Sequence, residues 1–382
     1  MKMKLLNLVI VAVSVIGLVG CDFLDEESYG STTEIFNEEN GIKALVYQSY
    51  TKINNLYGGD SQWPYLTEQG TDLFLRGGNN SETQVCDYKG LTATSSTVAW
   101  LWNHCYKGLA NINMFFETID DTPFADEADK NICKAEMLTM RSMFLWIITE
   151  NWGDSYLPMS TDETEGMEAR RSPRSEFYKE IIEGLKTALD LLPDTRTKVY
   201  GRIDAPSVKA FLSRMYLYNE EFDKAAEMAS QVIDGDYGYK LSSSLKDLWD
   251  DSKRNDEFIW TTEFVEDAAF KQSSFYWRHY AMFIDRYPGL RTQLRYTGYG
   301  SCITMPSVYY ISLFNHEADL RWQDLHQTVW YYNDPDDDTS MFPEMQELYV
   351  DTAFYLSVKP LSVAERNRIK TRYTAFDIDD MY

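Results

Sequence analysis

Six stretches within the first 235 residues of this chain repeat apolar side chains every third or fourth position. That spacing puts the apolar atoms on one face of a helix, and such a face must be buried against another element. The first stretch begins near Glu38. Ile42, Leu45, Val46, Ser49, Tyr50 and Ile53 share its face, and Gly58-Gly59 ends it. A second covers about 97–119 and carries Val98, Leu101, Cys105, Leu109, Ile112, Phe115 and Ile119. A third, about 127–151, carries Ile132, Ala135, Met137, Met140, Phe144 and Ile148, and closes at Asn151-Trp152-Gly153-Asp154. Ser172-Pro173-Arg174-Ser175-Glu176 is a helix-start signal, and the helix it opens stops at Pro193. The pattern predicts a mainly α fold built by laying helix on helix.

The last two helical stretches are joined tightly. Pro206 opens one, Asn219-Glu220-Glu221 turns the chain, and Phe222, Ala225, Ala226, Ala229, Val232 and Ile233 line the other up to Gly235. A helix, a short turn and then aromatic-x-x-Ala-Ala resembles a tetratricopeptide pair, in which small alanines let two helices approach closely. Elsewhere the pattern breaks. Residues 58–95 read as irregular around Gly77-Gly78-Asn79-Asn80, and Glu257 to Phe264 reads as a strand. Residues 266–305 read as loop and are dense in aromatic rings. A short helix is expected from Ser307 to Phe314, followed by a polar tail containing Asp334-Pro335-Asp336-Asp337-Asp338.

The amino terminus addresses the chain for export. Lys2 and Lys4 precede an apolar run from Leu5 to Val19 that is short for a bilayer span, so residues 1–20 read as a signal peptide. The run ends Leu18-Val19-Gly20-Cys21, the pattern of a bacterial lipobox. Cys21 would then carry the lipid, and residues 21–37 would form an acidic tether behind it. Each buried methylene contributes roughly 0.8 kcal/mol, so a multiply acylated terminus holds stably. Without Lys2 and Lys4 the formal charge goes from −24 to −26. That balance argues against nucleic acid and against charge-driven binding to anionic lipid. Cys86, Cys105, Cys133 and Cys302 match no zinc spacing and no dense disulfide framework; one disulfide has room, with its pairing open.

Taken in order, these segments resemble the SusD/RagB outer-membrane lipoproteins of Bacteroidota. The resemblance rests on Cys21-Asp22-Phe23-Leu24-Asp25, on Trp102 through Gly108-Leu109-Ala110-Asn111, and on Ala135-Glu136-Met137-Leu138 with Arg141-Ser142-Met143-Phe144. It continues through Trp152-Gly153-Asp154-Ser155-Tyr156-Leu157-Pro158, Arg171-Ser172-Pro173, the 177–193 helix, Gly201-Arg202-Ile203-Asp204 and Phe314 to Arg321. The chain departs from the family at Arg141-Ser142-Met143, where Arg-Ala-Phe/Tyr is usual. It also ends at Tyr382, where family members usually run on for a further helical pair. The resemblance implies residues 38–382 as one SusD-like unit, with a helical repeat-like scaffold over about 38–239 and a loop-rich region over about 240–382. It implies a non-catalytic protein that captures oligosaccharide. It also implies a partner, a SusC-like TonB-dependent barrel in the outer membrane. Asp25-Glu26-Glu27 fits the export signals of lipoproteins on the exterior face. Peptide capture, as in RagB, is the alternative.

A pyranose presents an apolar C–H face that stacks on aromatic rings, while Asn, Asp and Arg bond its hydroxyls. The loop residues that fit are Trp63 and Tyr65 in the first irregular region, and Trp277, Tyr280, Tyr296 and Tyr299 in the second. Arg76, Asn79, Asn80 and Arg278 are their polar neighbours. Each ring also has packing as its ordinary role. Asp72 reads as a turn residue, and Asp319 with Arg321 as a structural ion pair or turn. Asp334, Asp336 and Asp338 start a calcium-loop pattern that fails at Thr339 and Met345, so no metal or other cofactor is expected. The four histidines form no HExxH, and neither a serine elbow nor a phosphate loop is present. Paired carboxylates for glycoside hydrolysis would need a geometry the sequence does not show, so a hydrolase is the least favoured reading.

Overall fold

The structure is a computed structural model that describes residues 38–58, 63–77, 83–160, 170–250, 255–264, 280, 303–331, 352–356, 361–365 and 374–376. Residues 1–37, with the expected signal peptide, Cys21 and the expected tether, lie outside the described residues, as does Asp334 to Asp338. Its scaffold is six long helices: α1 (Glu39–Tyr57), α4 (Ser96–Thr118), α5 (Glu127–Trp152), α6 (Arg174–Leu191), α7 (Ala205–Tyr218) and α8 (Phe222–Ile233). Short elements α2 (Trp63–Thr67), β1 (Phe74–Arg76) and α3 (Thr83–Cys86) fall between α1 and α4. After α8 come α9 (Leu245–Leu248), β2 (Thr304–Pro306), α10 (Val308–Ser312), α11 (Leu320–Leu325), β3 (Val329–Tyr331), β4 (Thr352–Leu356) and β5 (Thr374–Phe376).

Each long helix packs on its successor, α4 on α5, α5 on α6, α6 on α7 and α7 on α8, while α1 lies against both α4 and α5. This is the nearest-neighbour stacking of tetratricopeptide-like pairs. The interior is the set of side chains the helical spacing selects. Ile42, Ile53, Leu101, Leu109, Ile112, Phe115, Met137, Phe144, Ile148, Phe177, Ile181, Leu185 and Val208 are fully buried. Cys105 and Cys133 are buried thiols within that core, and burial pushes the Cys133 thiol up to about 11. Gly108 lets α4 and α5 approach closely: a Cβ there would stand 2.6 Å from the Phe144 ring.

The ends of the helices follow from local chemistry. Asp126 caps α5 by accepting from Ala128 N at 2.9 Å, and Gly153 ends that helix with φ 64°. Asp204 caps α7 in a full capping box: its Oδ1 accepts from Ser207 N at 3.0 Å, and Ser207 Oγ accepts from Asp204 N at 2.8 Å. Its second oxygen accepts from Thr197 N at 2.9 Å, so one side chain fixes both the helix start and the preceding loop. Asp204→Ala is therefore expected to cost about 1–2 kcal/mol, read as a lower urea midpoint with an unchanged slope.

One polar cluster sits inside the scaffold. Glu136 of α5 is fully buried and accepts from Arg202 Nε at 2.5 Å and Nη2 at 2.6 Å, and from the Tyr50 hydroxyl at 2.8 Å. Tyr50 in turn accepts from Ile203 N at 2.9 Å. Burial pushes the Glu136 carboxyl above the usual range, opposed by Arg202 and Tyr50. The cluster ties α1, α5 and the loop before α7 into one unit.

Three sequence expectations are corrected. Glu257 to Phe264 forms no strand, because no strand among the described residues offers it a ladder. Side chains serve it instead: Trp260 Nε1 donates to Gly201 O at 2.9 Å, and Asn54 Nδ2 donates to Glu263 O at 3.0 Å. Residues 58–95, expected to be irregular, hold α2, β1 and α3. The tail carries strands, with β4 antiparallel to β3 and parallel to β5.

Candidate functional site

The two irregular regions of the sequence meet at a two-stranded ribbon. β1 and β2 pair antiparallel, with Phe74 opposite Pro306, Leu75 opposite Met305 and Arg76 opposite Thr304. Gly77 N donates to Ile303 O at 2.8 Å and Ser307 N donates to Leu73 O at 2.8 Å, extending the pairing at both ends. Gln69 locks the ribbon from below. It is buried, and its amide donates to Thr304 Oγ1 at 2.7 Å and to Ile303 O at 3.3 Å, while the Cys86 thiol donates to its oxygen. Ser307 Oγ donates to Asp72 O at 2.6 Å and caps α10, so Asp72 sits in the expected bend.

On the outer side of this ribbon lies a mixed aromatic and charged group. Arg76 is exposed and pairs with Asp87 at 3.6 Å, and Lys89 approaches the same carboxylate at 3.8 Å. Between Asp87 and Lys89, Tyr88 takes φ 55° and is 64% exposed. A non-glycine residue in the left-handed region beside exposed charges is where functional strain is found. The ring is not loose: its hydroxyl donates to Gly70 O at 2.6 Å. Gly70 has φ 76°, and a Cβ there would stand 2.5 Å from Val85 O and 2.6 Å from the Tyr88 hydroxyl. Glycine is thus required for the tyrosine to dock. The result is a pinned ring with a solvent-facing surface, flanked by donors (Arg76, Lys89) and an acceptor (Asp87).

The predicted residues distribute as follows. Arg76 is at the centre of this group. Tyr280 touches Phe74 edge-on at 5.9 Å, so the second irregular region does reach the first. Trp63 is half-buried, packing edge-on against Tyr57 at 6.2 Å and against the helical core. Tyr65 is half-buried on the same short helix. Asn79, Asn80, Trp277, Arg278, Tyr296 and Tyr299 lie outside the described residues. Tyr88 was not among the candidates. Its signal is Asp87-Tyr88-Lys89-Gly90, an aromatic residue between opposite charges ahead of a turn glycine.

From the ribbon the rings continue along α10 and α11: Phe74 on Tyr310 at 5.3 Å, Tyr310 on Phe314 at 5.1 Å, Phe314 on Trp322 at 5.5 Å, and Trp322 stacked on His326 at 4.4 Å. His326 Nδ1 faces Arg321 O at 3.1 Å, and a carbonyl only accepts, so Nδ1 carries the proton. In the neutral ring Nε2 then accepts from the Tyr310 hydroxyl at 2.9 Å. Asp319 and Arg321 form the expected local ion pair at 2.6 Å, with Asp319 capping α11. Among the described residues no three or more His, Cys, Asp or Glu side chains gather to hold a metal.

The fold and its surface define a class of helix-pair scaffold proteins that carry a loop-built group of rings and charges. The comparison with known proteins narrows that class. Residues 22–217 match the family model SusD-like, described as starch-binding and associating with the outer membrane, and the chain belongs to that family. The SusD-like protein P2 of Formosa agariphila is 24% identical over 247 residues, 61% of this chain and 47% of that protein. The chain thus spans about half the length of this curated relative. Among solved structures, a laminarin-binding SusD-like protein superposes with TM-score 0.63 at 19% identity, covering 81% of this chain and 68% of the other. A SusD superfamily protein from Bacteroides vulgatus superposes with TM-score 0.61 at 19% identity, covering 78% and 64%. At these identities the structural likeness concerns the fold.

Proposed function

We propose that this chain is a non-catalytic, lipid-anchored surface protein that captures oligosaccharide and hands it to a SusC-like TonB-dependent barrel. Residues 1–20 serve export, Cys21 takes the lipid, residues 21–37 act as tether on the exterior face of the outer membrane, and the remainder binds. The observation that carries the reading is the ribbon surface, where the pinned, exposed Tyr88 ring stands with Arg76, Asp87 and Lys89. A sugar ring laid on Tyr88 would keep its C–H face on the aromatic and its hydroxyls toward the charges. The family assignment supports a glycan, and the laminarin-binding neighbour supplies a first probe.

Isothermal titration of the folded domain against a glycan panel that includes laminarin is expected to yield a ligand at about millimolar affinity or tighter. Tyr88→Ala and Arg76→Ala should each weaken it about tenfold, or ~1.4 kcal/mol, with unchanged thermal unfolding. Binding to peptides and to no glycan would replace this reading with the RagB-like one.

A further inference from the structure

A second concavity lies away from the ribbon, at the junction of α5, α7, the end of α1 and the segment 259–262. It encloses about 530 Å³, the size range of small-molecule sites. Its walls are aromatic: Trp146 of α5, Phe211 of α7 and Trp260, with Tyr57 at one end. Trp146 meets Phe211 edge-on at 6.2 Å and stacks on Tyr218 at 6.0 Å, which fixes its plane. Met143, Ile203 and Ile259 complete an apolar lining.

The charge of this cavity points to one kind of ligand. Among the described residues its lining includes no Asp or Glu, in a chain of 60 acidic and 36 basic residues. Its one charged member is Arg214, which forms no ion pair among the described residues. Trp260 Nε1, Thr139 Oγ1 and Ser207 Oγ already donate to Gly201 O, Ala135 O and Asp204 O. The site therefore offers a cation beside aromatic walls.

We propose that this cavity binds an aromatic carboxylate, with its ring between Trp146, Phe211 and Trp260 and its carboxylate on Arg214. The test is isothermal titration of the whole chain with 2-naphthoate. Saturable one-to-one binding is expected, at least tenfold weaker in Arg214→Leu, an exposed position whose replacement leaves the core intact. Neutral 2-naphthamide should also bind at least tenfold more weakly. Tyr88→Ala should leave 2-naphthoate binding unchanged, which separates this site from the ribbon surface. Absence of saturable binding by the wild-type chain, equal affinity for the amide, or full affinity in Arg214→Leu would overturn the proposal.

Discussion

Replacing Arg202 by leucine is expected to cost about 3–5 kcal/mol of folding stability, because it strands the Glu136 carboxylate in the interior without its counter-charge. Glu136 has no solvent contact, and Arg202 supplies two of its three hydrogen bonds. Tyr50 alone cannot hold a buried charge, so the carboxyl in the variant takes up a proton on folding. The sign of the pH effect follows. A carboxyl whose folded pKa lies above its unfolded value binds more protons in the folded state, so stability falls as pH rises above the ordinary carboxylate range. Burial already raises the Glu136 carboxyl, and loss of Arg202 raises it further. Urea unfolding should therefore show a smaller deficit at pH 5 than at pH 7. The double variant Glu136→Leu with Arg202→Leu should recover part of the loss, since two apolar side chains leave no charge behind. A pH-independent deficit, or a double variant worse than the single, would mean that packing of the Arg202 stem outweighs its charge.

The helices could be read from the sequence because their information is local. The apolar spacing from Ile42 to Ile53 or from Leu101 to Phe115 records which face is buried, whatever it is buried against. Pro206, Asn219-Glu220-Glu221 and Gly153 mark ends by backbone chemistry alone. The ribbon could not be read this way. Arg76 and Thr304 pair across more than two hundred residues, and three-residue strands are too short to show a period. Glu257 to Phe264 errs in the opposite direction: its residue types suit a strand, but pairing is a property of the neighbour. The candidate surface was legible in part for the same reason. Arg76 stood out by type and context, whereas Tyr88 matters because Gly70, eighteen residues earlier, accepts its hydroxyl and leaves its face open.

The α4–α5 crossing gives the second large effect, and it is a coupling rather than a single loss. Phe144 is fully buried and lies against the bare backbone of Gly108, where a Cβ would meet two of its ring carbons at 2.6 Å. Phe144→Ala should cost about 3–5 kcal/mol through lost burial and the cavity left behind. Gly108→Ala would favour a solvated helix by about 1 kcal/mol. Here it should instead destabilise by about 1–3 kcal/mol, because a close-packed interior has no room for the added methyl without moving a packed ring. Together the two changes should cost about 0.5–3 kcal/mol less than their sum, since the clash disappears with the ring and the new methyl fills space the ring vacates. Urea unfolding of the four proteins measures this directly. Strict additivity would show that the ring is not what sets the approach of α4 to α5. The crossing has reach beyond itself: α1 rests on both helices, and its last residue, Tyr57, supports Trp63 at the start of the loop-built side. A scaffold loosened at Gly108 should therefore weaken glycan binding as well as stability. The Tyr88→Ala and Arg76→Ala variants should weaken binding alone.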